Sequence, residues 1–187
     1  PDVSTPAIHP LLHDRWSPRA FDEQHVLAPG DLSTLLEAAR WSPSAGNSQP
    51  WAFIVGLRGD PTFEAFRATH SRGNASWTHR ASALLVSLRQ TESGPDHEIP
   101  WNTYTQYDLG QATYAMTIAA ADLGVGTGHA AAADQDQART VLGFPEGRFL
   151  AYMLSVGYPS DRPLAVIERL DRRPFEDHAE MSAVGLG

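Results

Sequence analysis

The segment Gln106–Leu123 constrains this chain more than any other. It is dominated by Ala, Leu, Ile, Met and Tyr, with Gly110 as a weak point near its start, and reads as a helix that is apolar nearly all round. Such a helix needs cover on most of its sides. A chain of 187 residues can build one sizeable core, so a second subunit is the readiest source of the remaining cover. Gly124 directly follows and suits the left-handed residue that ends many helices.

Other elements follow from local pattern. Leu32, Leu35, Leu36 and Ala39 fall at i, i+3, i+4 and i+7 and predict an amphipathic helix from about Pro29 to Trp41. Further helices are expected near Pro10, over Pro61–His70 and over Gln135–Leu142. Trp51–Leu57, Ala83–Leu88, Gly126–Ala130 and Phe149–Tyr158 read as strands. Thr91–Asn102, rich in Gly, Pro and acidic residues, reads as a surface excursion. Helices and strands alternate without strict βαβ regularity, which predicts an α+β fold with a mixed sheet flanked by helices. One domain is expected over 1–187, with 159–187 as a C-terminal extension lacking a core pattern of its own.

Composition narrows the chemistry. Net charge is -8, which argues against nucleic acid or an anionic membrane as partner. All 14 basic residues are Arg, so an anion site must use guanidinium groups and backbone N–H groups. The absence of Cys excludes disulfides and thiolate chemistry. His9 and His13 lie four apart but lack a further ligand nearby, so no metal site is expected. Pro1–Arg15 has no apolar signal-like run, and the apolar stretch near Thr113–Ala133 is broken by Asp122, His129 and glycines. A cytoplasmic globular protein is the expectation.

Four segments can carry function. In Arg15-Trp16-Ser17-Pro18-Arg19, an extended backbone would project Arg15, Ser17 and Arg19 to one side, where they could grip a phosphate or simply be solvated. Ser42–Trp51 is a donor-rich loop entering a strand, suited to the edge of a pyrimidine-like ring or to a plain turn. Asp108-Leu109-Gly110-Gln111-Ala112 opens the apolar helix, and Leu123–Gly128 closes it with alternate glycines. Those glycines either admit a flat ring or make a tight turn. Arg169–Pro174 gathers basic residues that could meet an anion or pair with nearby acids.

Together and in this order the segments resemble the FMN-dependent nitroreductase family. Arg15, Ser17, Arg19 and Phe21 match its R-x-S-x-R/K motif and following Phe. Ala39, Pro43, Ser44, Asn47, Gln49, Pro50 and Trp51 match A-x-x-x-P-S-x-x-N-x-Q-P-W. Asp108, Gly110 and Ala112 match D-x-G-x-A, and Leu123–Thr127 matches LGLGT with Val125 in the Leu place. Gly157–Pro159 and Arg172–Pro174 match the closing strand-GYP and R-x-P.

The resemblance implies an intertwined homodimer with FMN at the subunit interface, and a C-terminal tail reaching over the partner. It implies that Arg15, Ser17, Arg19 and Arg172 hold phosphate, ribityl chain and ring edge, with Trp16 contributing mainly backbone and Arg173 as an addition. Pro43, Ser44 and Asn47 would meet the isoalloxazine from the other subunit, and the backbone of Gly126, Thr127 and Gly128 would face the ring near N5. A cation such as Arg19 near N1 would raise the flavin potential. The implied activity is ping-pong reduction of a flat, electron-poor acceptor, such as a nitroaromatic or quinone, by NAD(P)H. Hydride transfer requires no side-chain acid or base, so no catalytic residue is named. Other flavin chemistries (dehalogenation, flavin fragmentation) and an FMN-sequestering or sensing module are the alternatives. Trp101, Tyr104 and Tyr107 could line the substrate pocket or pack in the core, and His129 could donate a proton or be structural.

Overall fold

The computed structural model describes residues 7–70, 72–91, 103–130 and 135–160. Their architecture is α+β, with a four-stranded sheet of order β1-β2-β4-β3 between helical layers. Strands β1 (Trp51–Leu57) and β2 (Ala83–Gln90) pair antiparallel from Trp51↔Arg89 to Leu57↔Ala83. Between them, α3 (Pro61–Ala68) and α4 (Arg72–Thr78) leave and re-enter at the same end of the sheet. Local chemistry sets α3: Asp60 Oδ1 accepts from Phe63 N–H at 2.6 Å, and Pro61 fills the first turn, where no N–H is needed.

The expected mixed sheet is corrected. Strand β2 leads through α5 (Thr105–Asp122) to β3 (Gly126–Ala130), and these two strands run in the same direction. Strand β4 (Arg148–Gly157) inserts between them and opposes both, with Val86↔Met153 on one side and Gly128↔Ser155 on the other. Every pairing of the described strands is therefore antiparallel. Parallel direction without adjacency makes no parallel ladder, and element alternation does not reveal which strand inserts where.

Strand β2 is buried on both faces, which explains its nearly continuous apolar run. Leu84, Val86 and Leu88 join Phe63, Phe66, Trp77, Leu150 and Met153 in one core. Ala83 and Leu85 join Leu35, Ala39, Ala112, Met116, Ala120, Leu154 and Val156 in the other. The second core lies where α2 (Pro29–Arg40) crosses α5, and each fully buried Leu or Met there contributes about 1.5–3 kcal/mol. The small side chains of α5 let its backbone approach closely, while Tyr107 and Tyr114 on its opposite side remain exposed. Gly124 takes the expected left-handed conformation at φ 71° after this helix. Among the described residues, no helix is long and apolar enough to cross a membrane. The remaining helices are α1 (Pro10–Asp14) and α6 (Gln135–Leu142). His9 Nδ1 accepts from Leu11 N–H to cap α1, while His13 pairs with Asp14.

Candidate functional site

The loop after α1 is fastened at its apolar residues and open at its polar ones. Pro18, Ala20 and Phe21 are buried, whereas Trp16, Ser17 and Arg19 are exposed and Arg15 is half-buried. Backbone bonds tie its end to the chain after β4: Asp22 N–H donates to Tyr158 O at 2.9 Å, and Ser160 N–H donates to Ala20 O at 3.0 Å. Phe21 packs 6.1 Å from Trp77, centroid to centroid. The alternation of buried and exposed residues is that of extended backbone, as the motif predicts.

The glycines of β3 are what allow this loop to lie so close. A Cβ on Gly126 would stand 2.5 Å from Pro18 Cγ. On Gly128 it would stand 2.9 Å from Pro18 O and 3.0 Å from Trp77 Cζ3. The space beside these glycines is filled by the chain itself. Their absent side chains serve the seating of the arginine-bearing loop.

Where this loop passes the end of α5, a cleft of ≈ 220 Å³ opens, lined by Arg15, Trp16, Thr117, Ala121, Gly126 and Thr127 among others. Arg15 Nε is buried there without a hydrogen-bond partner. A buried guanidinium donor left unpaired is costly, and an anion would satisfy it. Beside it, His129 Nε2 lies 3.0 Å from Thr117 Oγ1. Burial of the ring edge, and then the Arg15 charge, hold the His129 pKa below the usual histidine value, although part of the ring meets solvent. The imidazole is therefore neutral at neutral pH.

A second group forms at the opposite end of α5. Asp108, 2% exposed, accepts from Ala45 N–H at 3.2 Å, and Gln111 Nε2 donates to Pro43 O at 3.4 Å. These bonds hold the Pro43–Gln49 loop, in which Gly46, Asn47 and Gln49 all have positive φ (59°, 53° and 46°). Such conformations are strained for non-glycine residues and persist only where the surroundings over-determine them. Ser44 Oγ adds a further tie by accepting from Gln49 N–H at 3.0 Å.

The structure thus brings Arg15, Trp16, Gly126 and Thr127 to one cleft, with Ser17, Arg19 and Gly128 in the adjoining loop and strand. It does not bring Pro43, Ser44 and Asn47 to them. From Asp108 to Ala121 the helix rises roughly 20 Å at about 1.5 Å per residue. Trp101, Arg172 and Arg173 lie outside the described residues. Tyr104 and Tyr107 are exposed, near the second group. Sequence reasoning passed over Thr117 and the anchoring role of Asp108; a hydroxyl and a carboxylate on an otherwise apolar helix were the available signals.

The arrangement suits an anionic ligand, because the buried, unpartnered Nε of half-buried Arg15 adjoins a loop that also presents Ser17 and Arg19. The cleft of one chain is smaller than the roughly 300–1,000 Å³ of ordinary ligand sites.

Both groups of residues lie inside the span that known proteins match. The model of the nitroreductase family matches residues 12–60 and 57–158, taking in the Arg15 loop, the Pro43–Gln49 loop, α5 and β3. An oxygen-insensitive NADPH nitroreductase of Helicobacter pylori is 36% identical over 98 residues, covering 51% of this chain and 46% of that protein. The chain thus spans about half the length of that relative. A solved structure described as an oxidoreductase containing FMN has TM-score 0.78 and 30% identity, covering 84% of this chain and 80% of that one. A nitroreductase family protein from Streptococcus pneumoniae shares the fold, with TM-score 0.76, 20% identity, and 92% and 98% coverage. With both loops and the helix joining them inside the matched span, the chain belongs to the nitroreductase family.

Proposed function

We propose that this chain is a cytoplasmic FMN-dependent oxidoreductase that uses NAD(P)H to reduce a flat, electron-poor acceptor such as a nitroaromatic or quinone. The carrying observation is the buried, unpartnered Arg15 Nε in a cleft formed by the motif loop and the end of α5. When bound, FMN supplies the hydride-carrying ring on which NAD(P)H and the acceptor take turns. Arg15, Ser17 and Arg19, with Arg172 and Arg173 from the C-terminal segment, hold phosphate and ribityl chain. The backbone of Gly126 and Thr127, which line the cleft, borders the ring, while Gly128 supports it from behind by seating the Pro18 loop.

The Pro43, Ser44 and Asn47 edge comes from a second copy. Its distance from the cleft within one chain supports this reading, as does the exposed side of α5 carrying Tyr107 and Tyr114. A homodimer covers that side and completes both sites. The restrained loop keeps its amide donors in place before any ligand arrives, which lowers the ordering cost of binding.

Anaerobic titration of the yellow protein tests the activity. NADH or NADPH is expected to bleach the flavin, and nitrofurazone or menadione to restore the colour. Bleaching that neither acceptor reverses would indicate a different flavin chemistry. Bound FMN that neither nicotinamide reduces would indicate a binding module.

A further inference from the structure

Resting on the flavin reading of the cleft, we propose that His129 is a further binding residue of that site, its Nδ1 lone pair accepting a hydrogen bond from a ribityl hydroxyl of FMN beside Arg15. The inference starts from one proton. Thr117 Oγ1 lies 2.9 Å from Thr113 O, one turn earlier in α5, and a carbonyl can only accept. The hydroxyl has a single hydrogen, and that bond takes it. Toward His129 Nε2, at 3.0 Å, Thr117 must therefore accept, so Nε2 carries the ring proton. In the neutral imidazole the other nitrogen is then a bare acceptor.

Position supplies the rest. His129 lies two residues beyond Thr127 on β3, on the same strand face. Thr117, Thr127 and Arg15 all line the cleft, and the ring, although not itself part of that lining, is held to it through Thr117 at 3.0 Å. Among the described residues no hydrogen bond engages Nδ1. A site with a guanidinium donor and a fixed lone-pair acceptor is matched to a ligand that carries both an anion and hydroxyls. The Arg15 charge helps keep the ring neutral, and hence an acceptor. Proton delivery from Nδ1 to an electron acceptor is not available to this tautomer.

Flavin-free protein titrated with FMN, followed by quenching of flavin fluorescence, tests the assignment. His129→Phe and Thr117→Val are each expected to raise the FMN Kd about tenfold, the equivalent of one hydrogen bond. His129→Asn, whose Oδ1 can stand where Nδ1 stood, is expected to restore most of the affinity. Nitrogen-15 NMR of the flavin-free parent is expected to show the Nε2–H tautomer at His129, a readout that survives even if a variant fails to fold. Parent-like FMN binding by His129→Phe, or an Nδ1–H tautomer, would overturn the assignment while leaving the flavin reading intact. A parent that takes up no FMN would overturn both, whatever tautomer is seen.

Discussion

Replacing Gly128 with Ala adds one methyl group at a place where the chain has packed backbone and a ring. That carbon would sit 2.9 Å from Pro18 O, 3.0 Å from Trp77 Cζ3 and 3.1 Å from Trp77 Cη2. Neither neighbour yields easily. Trp77 is 6% exposed and packed on Phe21, and the Pro18 carbonyl belongs to a loop bonded to the chain after β4. Overpacking of this kind costs about 1–3 kcal/mol. Part of the strain is relieved by lifting Pro18, which lies between Ser17 and Arg19. If about 1.4 kcal/mol appears in the bound state, FMN affinity falls about tenfold. The assay is a pair of measurements on one preparation: the urea unfolding midpoint of the flavin-free protein, and its FMN Kd. Both are expected to worsen for Gly128→Ala. Gly110→Ala is the contrast within this chain, since a Cβ there has nothing within 4 Å. A Gly128→Ala protein with unchanged midpoint and unchanged Kd would refute the reasoning that these glycines seat the arginine loop.

Three other outcomes follow from the same geometry. Asp108→Ala leaves the Ala45 N–H without its acceptor and is expected to cost about 1–3 kcal/mol; amide exchange should accelerate first at residues 44–49. Arg15→Leu is expected to weaken FMN binding by tenfold or more, as loss of a charged hydrogen bond does, while raising the thermal midpoint of the flavin-free protein, because an unpaired buried donor is removed. His70 should make stability depend on pH. Its ring is buried, Nδ1–H donates to Phe66 O at 2.8 Å, and burial holds its pKa below 6.5. The fold resists a proton that the unfolded chain accepts, so this contribution is full above pH 6.5 and declines as pH falls below it. His70→Asn should flatten that acid limb in urea unfolding followed between pH 7.5 and 5.

Much of the fold was legible because its signals are local. The apolar face of α2, the strand Trp51–Leu57 and the left-handed Gly124 each depend on neighbours a few residues away. Helix α4 was not expected, since Gly73, Asn74, Ser76 and Thr78 are poor helix formers. Burial of Trp77 in the core supplies what propensity lacks. The insertion of β4 between β2 and β3 is a choice among long-range pairings that no local pattern reports. The site shows the same divide. The extended loop of Arg15–Arg19 was readable from spacing, but the reason for Gly126 and Gly128 was not. Alternate glycines suggested room for a ring, whereas their contacts are with Pro18 and Trp77, far away in sequence. The charge of Asp108 was visible, but not its grip on Ala45 across the fold.

The central claim is that the Arg15 cleft of one copy is completed by the Asn47 loop of another. Co-refolding an Arg15→Leu chain with an Asn47→Asp chain tests it directly, by equilibrium dialysis against FMN at a concentration near the parent Kd. Aspartate tolerates the left-handed backbone at this position and sets a carboxylate against the ring edge. In a two-fold dimer that mixes freely, about a quarter of the sites pair an intact Arg15 with an intact Asn47. The account predicts that this fraction binds FMN with parent affinity, while each variant refolded alone binds weakly. A mixture that binds no better than its two components apart would contradict it.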